Sequence, residues 1–580
     1  MFKNIEKILH ILDRRERIKG IILLAMILIM AIFEMIGVAS ILPFITVLSN
    51  PDIIETNNVL NLMFKYSKIF GVESKENFLF ALGVMVFILL LFTLIFKALT
   101  TYFQLRFSMM CEFSIGKRLM QTYLQQPYKW FLNKHSAEIG KNILNEVSQV
   151  VSGGLIPLIE FTTYSLVSFF LLVLLFFVDV KLTIVTSLVL GFIYFLIFSL
   201  IRDLVKNLGE KRVLANQLRF TSVLETFRAI KQIKIGNLEK VFLKSFSKPA
   251  SNFAKISLLS KTITVIPRYF VEAISFGGML LLILYLIANV GNFINAIPII
   301  SLYVFAGYRL IPAFQKIYSS ITQLRYSTTP INKLYEDFSQ LEKKKLTDSL
   351  DKFDLNKKIS LKDIVFFYPG ASKPLFNGVN LDISAGDSVG IIGSSGSGKT
   401  TIVDIILGLL QPQRGSLEID NKKMNINNIS NWQKYVGYVP QNIFLLDDSI
   451  SNNIALGIEK KKIDQKAIES AAKLADLHNF VINDLPNKYE TIIGESGTRL
   501  SGGQCQRIGI ARALYHQPSV LILDEATSAL DIDTENKIMD LIFKIGNHKT
   551  IIMITHRINS LKNFKKIISI RDGKIEIRKN

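Results

Sequence analysis

The feature that most constrains this chain is a set of apolar runs crowded into its first 320 positions, each too long for a soluble helix. Crossing about 30 Å of hydrocarbon at 1.5 Å per residue takes about 20 residues, and lipid offers no partner to a free backbone N–H, so such runs must be membrane helices. Six stretches qualify: 18–48, 78–103, 155–178, 181–203, 263–288 and 295–320. The first follows a charged, weakly amphipathic segment (1–17), is far longer than a signal-peptide core and has no small-residue cleavage site nearby. It is expected to be a retained signal anchor. The links 49–77, 179–181 and 289–294 are poor in Lys and Arg, whereas 104–154 and 204–262 carry many, among them Lys117, Arg118, Lys211, Arg212, Lys231 and Lys234. That asymmetry places both termini and the two long links in the cytoplasm. The long links keep helical periodicity and lack Gly/Pro clusters, so they are expected to be helices that continue past the bilayer.

At 580 residues the chain exceeds what one core can organise. Its net charge of +21 could suggest nucleic acid, but the basic residues gather in the links between apolar runs, so the expected partner is the bilayer and no nucleic acid is expected. Cys111 and Cys505 both fall in segments assigned to the cytosol, where thiols stay reduced, and no disulfide framework is indicated. The reading is therefore a multi-domain membrane protein: an all-α six-helix membrane domain over 1–338, a lysine-rich linker over 339–358, and a second domain over 359–580. In the last of these, short β-branched runs (388–393, 519–523, 550–555) alternate with helical patterns, the rhythm of an α/β fold on a parallel sheet.

The run Gly393-Ser394-Ser395-Gly396-Ser397-Gly398-Lys399-Thr400 fits GxxxxGK[ST] and lies between an apolar strand and a helix, the context of a P-loop. Its glycines let backbone N–H groups close round phosphates, Lys399 reaches the β- and γ-phosphates, and the Thr400 hydroxyl suits a magnesium ion, with Thr401 beside it on the same helix turn. At 520–525 a hydrophobic strand ends in two carboxylates. Asp524 can hold magnesium through its water shell while Glu525 polarises the attacking water as general base.

The run Leu500-Ser501-Gly502-Gly503-Gln504, set between a P-loop and such a strand, resembles the signature of the ABC ATPases, and the chain as a whole resembles an ABC exporter half-transporter. That resemblance implies an ABC-exporter membrane domain, a P-loop nucleotide-binding domain, ATP and Mg2+, and a homodimer in which Ser501 of one copy meets the P-loop of the other. It further implies that Tyr368 stacks on adenine, that Gln441 senses magnesium, and that Glu495, Asp531 and His556 serve as X-loop, D-loop and switch residues. Cys505 departs from the Lys or Arg commoner after the signature. Segments 125–133 and 221–234 resemble the two coupling helices of exporters.

Ionisable groups inside the expected spans are Glu34, Lys97, Glu160, Arg268, Glu272 and Arg309, each costly in lipid. Lys97 and Glu160 sit within snorkelling distance of a span end; Arg268 and Glu272, spaced i, i+4, support equally an ion pair or a ligand role; Glu34 and Arg309 lack an obvious local partner. Guanidinium forks in the cytoplasmic half suit a phosphate or pyrophosphate. Segments 265–276, 307–312, Glu34 and 40–46 resemble the flippases of lipid-linked oligosaccharides in bacterial protein N-glycosylation, which implies Glu34, Arg268 and Arg309 as substrate residues. A peptide, toxin or drug exporter is the alternative, and a non-transporting ABC channel or regulator is disfavoured by the intact Glu525.

Overall fold

A computed structural model describes residues 2–290, 293–341, 355–494, 497–545, 549–571 and 573–579. Most of the expected linker and Glu495 lie outside the described residues. Two compact units are present, one of residues 1–126 and 133–344, the other of residues 127–132 and 345–580.

The first unit is helical. After α1 (Phe2–Ile11), Asp13 starts α2 (Arg14–Ala39) with a capping box, its side chain accepting from Arg14 N while Glu16 accepts from Asp13 N at 2.6 Å. The chain continues through Ile41–Ser49 into α3 (Lys75–Leu124), α4 (Ile156–Val178), α5 (Val180–Arg228), α6 (Glu239–Val290), α7 (Phe293–Tyr326) and α8 (Thr328–Gln340). Among the described residues, five stretches are long and apolar enough to cross a membrane: Arg14–Ser49, Lys75–Leu124, Ser136–Val178, Val180–Arg228 and Ile297–Tyr326. The fifth expected span, 263–288, falls on α6, and many of its side chains lie outside the described residues. With 50, 49 and 52 residues, α3, α5 and α6 each measure about 75 Å, far more than the hydrocarbon needs, so they continue past the bilayer as expected. The core of this unit joins Met30 and Val38 of α2, Leu171 and Leu175 of α4, and Leu302 and Leu310 of α7. Large exposed side chains such as Phe87, Phe92, Phe192 and Phe195 form a surface suited to lipid.

Local details depart from expectation in two places. Segment 221–234 is not one helix: α5 runs to Arg228, and after Ala229 a separate helix, Ile230–Gly236, ends at Asn237 in the left-handed region. Just before α4, two π-helical turns, Asn142–Glu146 and Val151–Leu155, widen the helix. The first turn carries the buried Glu146, which lies 3.9 Å from Lys141 and 3.6 Å from Arg212. The helix Tyr128–Leu132, within the expected first coupling segment, groups with the C-terminal unit.

That second unit contains two sheets. The smaller, in the order β2 (Phe376–Ser384), β1 (Lys358–Phe366), β4 (Arg414–Ile419), β5 (Lys422–Lys423), is antiparallel. The larger has the order β10 (Lys574–Lys579), β9 (Lys566–Arg571), β3 (Ser388–Gly393), β8 (Thr550–Ile554), β7 (Val520–Asp524), β6 (Val436–Val439), parallel except for β10. Strands β7 and β8 are buried along their whole length, which is why they read as unbroken apolar runs rather than alternating ones. Parallel strands all end on one edge, and in such sheets ligands bind outside the carboxyl ends.

Candidate active site and membrane charge cluster

Four segments converge on that carboxyl edge. The P-loop leaves β3 at Gly393 and enters α9 (Lys399–Ile406), with Gly396 at φ 80° and Gly398 at φ 102°, a region a side chain would strain. A Cβ at Gly398 would also strike the Phe376 ring. Lys399 Nζ donates to the carbonyls of Gly393 (3.0 Å) and Ser394 (2.9 Å), so the lysine arches back over its own loop. Ser394, Ser395 and Gly396 are exposed, whereas Ser397 is buried. On the next turn the Thr401 hydroxyl lies 2.8 Å from the Tyr368 hydroxyl, which fixes the orientation of the exposed tyrosine beside the loop.

Asp524 closes β7 and is 3% exposed; burial first, then the neighbouring Glu525, raises its pKa above the usual carboxylate range, while the Tyr438 and Thr400 hydroxyls and Lys399 oppose that shift. Glu525 follows in the left-handed region at φ 49°, a conformation a non-glycine residue holds only where its surroundings insist. Its backbone N–H donates to Ile554 O of β8 at 3.0 Å. Its carboxylate is gripped from both sides: Gln441 Nε2 donates to Oε2 at 2.7 Å, and His556 Nε2 lies 3.0 Å from Oε1. Three of the expected catalytic side chains, drawn from the ends of β6, β7 and β8, are thus brought together. Thr400, Asp524 and Gln441 form a hard oxygen donor set of the kind magnesium accepts while keeping most of its water.

The signature residues start α10 (Gly502–Tyr515). Ser501 caps it, its hydroxyl accepting from Gln504 N (3.2 Å) while Gln504 Oε1 accepts from Ser501 N (2.7 Å). Gly503 packs closely on Leu530, just before Asp531. Asp531 in turn accepts from Thr534 N at 2.9 Å at the start of α11 (Ile532–Ile545).

Three further buried polar residues lie among these segments. Gln506, buried, donates to Ser528 Oγ and accepts from Ala529 N, tying α10 to the segment before Asp531. Glu535, also buried, accepts from Thr527, Arg557 and Ser560, each at 2.8 Å, so the segment after Glu525 and the segment after His556 share one carboxylate. Asp404 lies on the buried face of α9 beside Asp524, and its pKa is pushed up to about 6, by burial first and Asp524 second. The signal for Asp404 was present, as a lone carboxylate inside the apolar stripe of KTTIVDII.

In the helical unit the expected substrate residues divide. Glu34 and Arg309 do have partners: Glu34, 3% exposed, lies 3.7 Å from Arg309 Nη1, and Lys97 Nζ donates to the same oxygen at 2.5 Å. Lys97 therefore turns inward rather than toward a span end, and Glu160 pairs with Lys316 at 2.7 Å. Arg268 bonds Glu272 at 2.5 Å along its own helix, the ion-pair outcome of their spacing, and among the described residues it forms no ion pair with the Glu34 cluster.

Residues 376–528 match the family described as ABC transporter, and residues 17–309 match the ABC transporter transmembrane region. The chain is 32% identical over 480 residues to a protein of Wigglesworthia glossinidia brevipalpis named ATP-dependent lipid A-core flippase, an alignment covering 80% of this chain and 79% of that one. It is 30% identical over 497 residues to the leukotoxin export ATP-binding protein LtxB of Aggregatibacter actinomycetemcomitans, covering 84% and 68%. Among solved structures, a bacterial Atm1-family ABC exporter with ATP bound shares the fold at a TM-score of 0.78 over 98% of this chain and 96% of that chain, with 20% identity.

Proposed function

Since the chain belongs to the ABC transporter family, as an exporter-type half-transporter whose ATP hydrolysis is coupled to transport, we propose that two copies form a homodimer that flips a lipid-linked oligosaccharide or similar lipid-linked glycan across the cytoplasmic membrane. The observation that carries this reading is the Glu34–Lys97–Arg309 cluster. Two cations face one carboxylate among lipid-embedded helices, and the Lys97 and Arg309 side chains remain 31% and 23% exposed. Surplus positive charge at that depth is costly unless an anion shares it, and a phosphate or pyrophosphate head group is such an anion. A relative named as a lipid A-core flippase supports a lipid-linked saccharide. The likeness to LtxB keeps a peptide or toxin exporter as the second reading.

In the ATPase domain, Lys399 and the P-loop N–H groups hold the phosphates, Tyr368 stacks on adenine, and Glu525 takes the proton of the attacking water. Gln441 and His556 orient that carboxylate. Magnesium would rest on Thr400, Asp524 and Gln441, where it supplies charge neutralisation on the phosphate oxygens. Ser501 and the signature backbone complete the site from the second copy, and Asp531 lies at that junction. Both termini and the ATPase domain lie in the cytoplasm, as the basic links 104–154 and 204–262 indicate.

Two measurements test the proposal. ATPase activity of the full-length protein in nanodiscs should rise several-fold with a pyrophosphate-linked lipid oligosaccharide and stay flat with secreted peptides; the reverse pattern favours the second reading. Heterodimers carrying Lys399→Ala in one copy and Ser501→Ala in the other should keep one intact composite site and outperform either mutant homodimer. Equal inactivity of all three would count against shared sites.

A further inference from the structure

The helical unit carries a second polar and apolar juxtaposition, away from the Glu34 cluster, at the start of α2 and the middle of α3. There a trough of about 530 Å³ is floored by Leu23, Met26, Phe103 and Phe107 and rimmed by Arg15, Lys19 and Arg106. Two carboxylates line its end as well: Asp13, which keeps its charge while accepting from Arg14 N, and Glu16, which accepts from Asp13 N and pairs with Arg118 at 3.3 Å, so three rim cations face one uncompensated carboxylate. Among the described residues, no carboxylate forms an ion pair with Arg15, Lys19 or Arg106. The rim is therefore net positive over an apolar floor. Its depth is set by sequence, since Lys19 stands where the apolar run of α2 begins and Arg106 where that of α3 gives way to its polar extension. Both therefore sit at head-group level in one leaflet. Ile22 and Met110 at the trough's mouth are 60% and 57% exposed.

We propose that this trough binds one anionic phospholipid of that leaflet, its phosphate shared by Arg15, Lys19 and Arg106 and an acyl chain lying along Leu23, Met26, Phe103 and Phe107. The charge complementarity selects the occupant: a zwitterionic lipid brings its own cation and gains little from three more. Basic pockets beside membrane helices are recognition sites for anionic head groups, each cation near the surface contributing roughly fivefold in affinity. Such a lipid would brace the junction of the two helices, independently of what is transported.

The test is native mass spectrometry of the full-length protein released from nanodiscs of mixed phosphatidylglycerol and phosphatidylcholine. The parent should retain one phosphatidylglycerol per protomer, and the variant Arg15→Ala/Lys19→Ala/Arg106→Ala should bind it on the order of 100-fold more weakly. Arg15→Lys and Arg106→Lys together should keep the lipid, and Met26→Trp should expel it by filling the floor without changing charge. The readout needs neither ATP nor a glycan, so its failure is distinct from failure of the substrate reading. Equal retention by the triple variant, displacement by millimolar inorganic phosphate, or a disulfide between copies formed by Met110→Cys, which would make the trough's occupant a second protomer, would each overturn the proposal.

Discussion

Glu535 and Glu34 are both buried carboxylates, at 2% and 3% exposure, yet they are held by different means. Glu535, in the ATPase domain, accepts from two hydroxyls and one arginine, so its partners include neutral groups that remain satisfied whatever its charge. Glu34, in the membrane domain, is held only by Lys97 and Arg309 among its described partners, both cations. The difference teaches where each domain can tolerate change. Around Glu535, two hydroxyl groups buffer the loss of a charge; between helices in lipid, a charge is balanced chiefly by another charge.

The sharpest way to break that comparison is to neutralise both. Glu34→Gln leaves Lys97 and Arg309 without the one carboxylate that faces them and should destabilise the protein by roughly 3–5 kcal/mol, read as a fall in thermal stability in detergent, with much of it recovered when Lys97→Met is added. Glu535→Gln keeps acceptor and shape and should cost far less. Equal losses would mean that the surroundings of the two carboxylates do not set the cost. Next in size, Glu525→Gln should lower steady-state ATPase by about 10² or more, near 3 kcal/mol in barrier, while ATP binding persists; near-parental turnover would remove Glu525 from its role as base.

The same contrast explains how far the chain could be read unaided. The P-loop, Asp524 and Glu525 are legible because each lies in a short run at a strand end, and a parallel sheet gathers strand ends on one edge; Gln441 and His556 come only through the family resemblance. Gln441 bonding Glu525 follows from the same edge. Pairings between helices carry no such local address: Lys97 lies at what reads as a span end, and nothing near it in sequence announces Glu34. The break at Ala229 was equally hidden, since neither glycine nor proline marks it, whereas Gly236-Asn237 is an ordinary helix stop. Asp404 belongs to no motif, and only its place inside the apolar stripe of α9 marks it as buried.

Two smaller effects sharpen the ATPase side. Gln506→Ala removes the amide that joins Ser528 and Ala529 to the signature helix and leaves buried groups unpaired, at a cost of about 1–3 kcal/mol. ATPase should fall several-fold while ATP binding changes little, and an unchanged rate would make that link incidental. The smallest effect is a slope. The native fold raises Asp404 to about 6 from an ordinary 3.8, so the stability it contributes is fully present below the ordinary value and is lost as pH rises through the folded one. Asp404→Asn should therefore flatten the decline of melting temperature between those two values, and an unaltered slope would place the titration elsewhere.

The central claim, that ATP hydrolysis at Glu525 moves a lipid-linked anionic glycan past the Glu34–Lys97–Arg309 cluster, is tested most directly by flipping of a pyrophosphate-linked lipid oligosaccharide in proteoliposomes. The parental protein should flip it only with ATP and magnesium; Glu525→Gln should abolish flipping, and Arg309→Ala should cut it at least tenfold while folding normally and keeping basal ATPase. Flipping at the parental rate by a stable Arg309→Ala variant, or no ATP-dependent flipping by the parent while a peptide is exported, would contradict it.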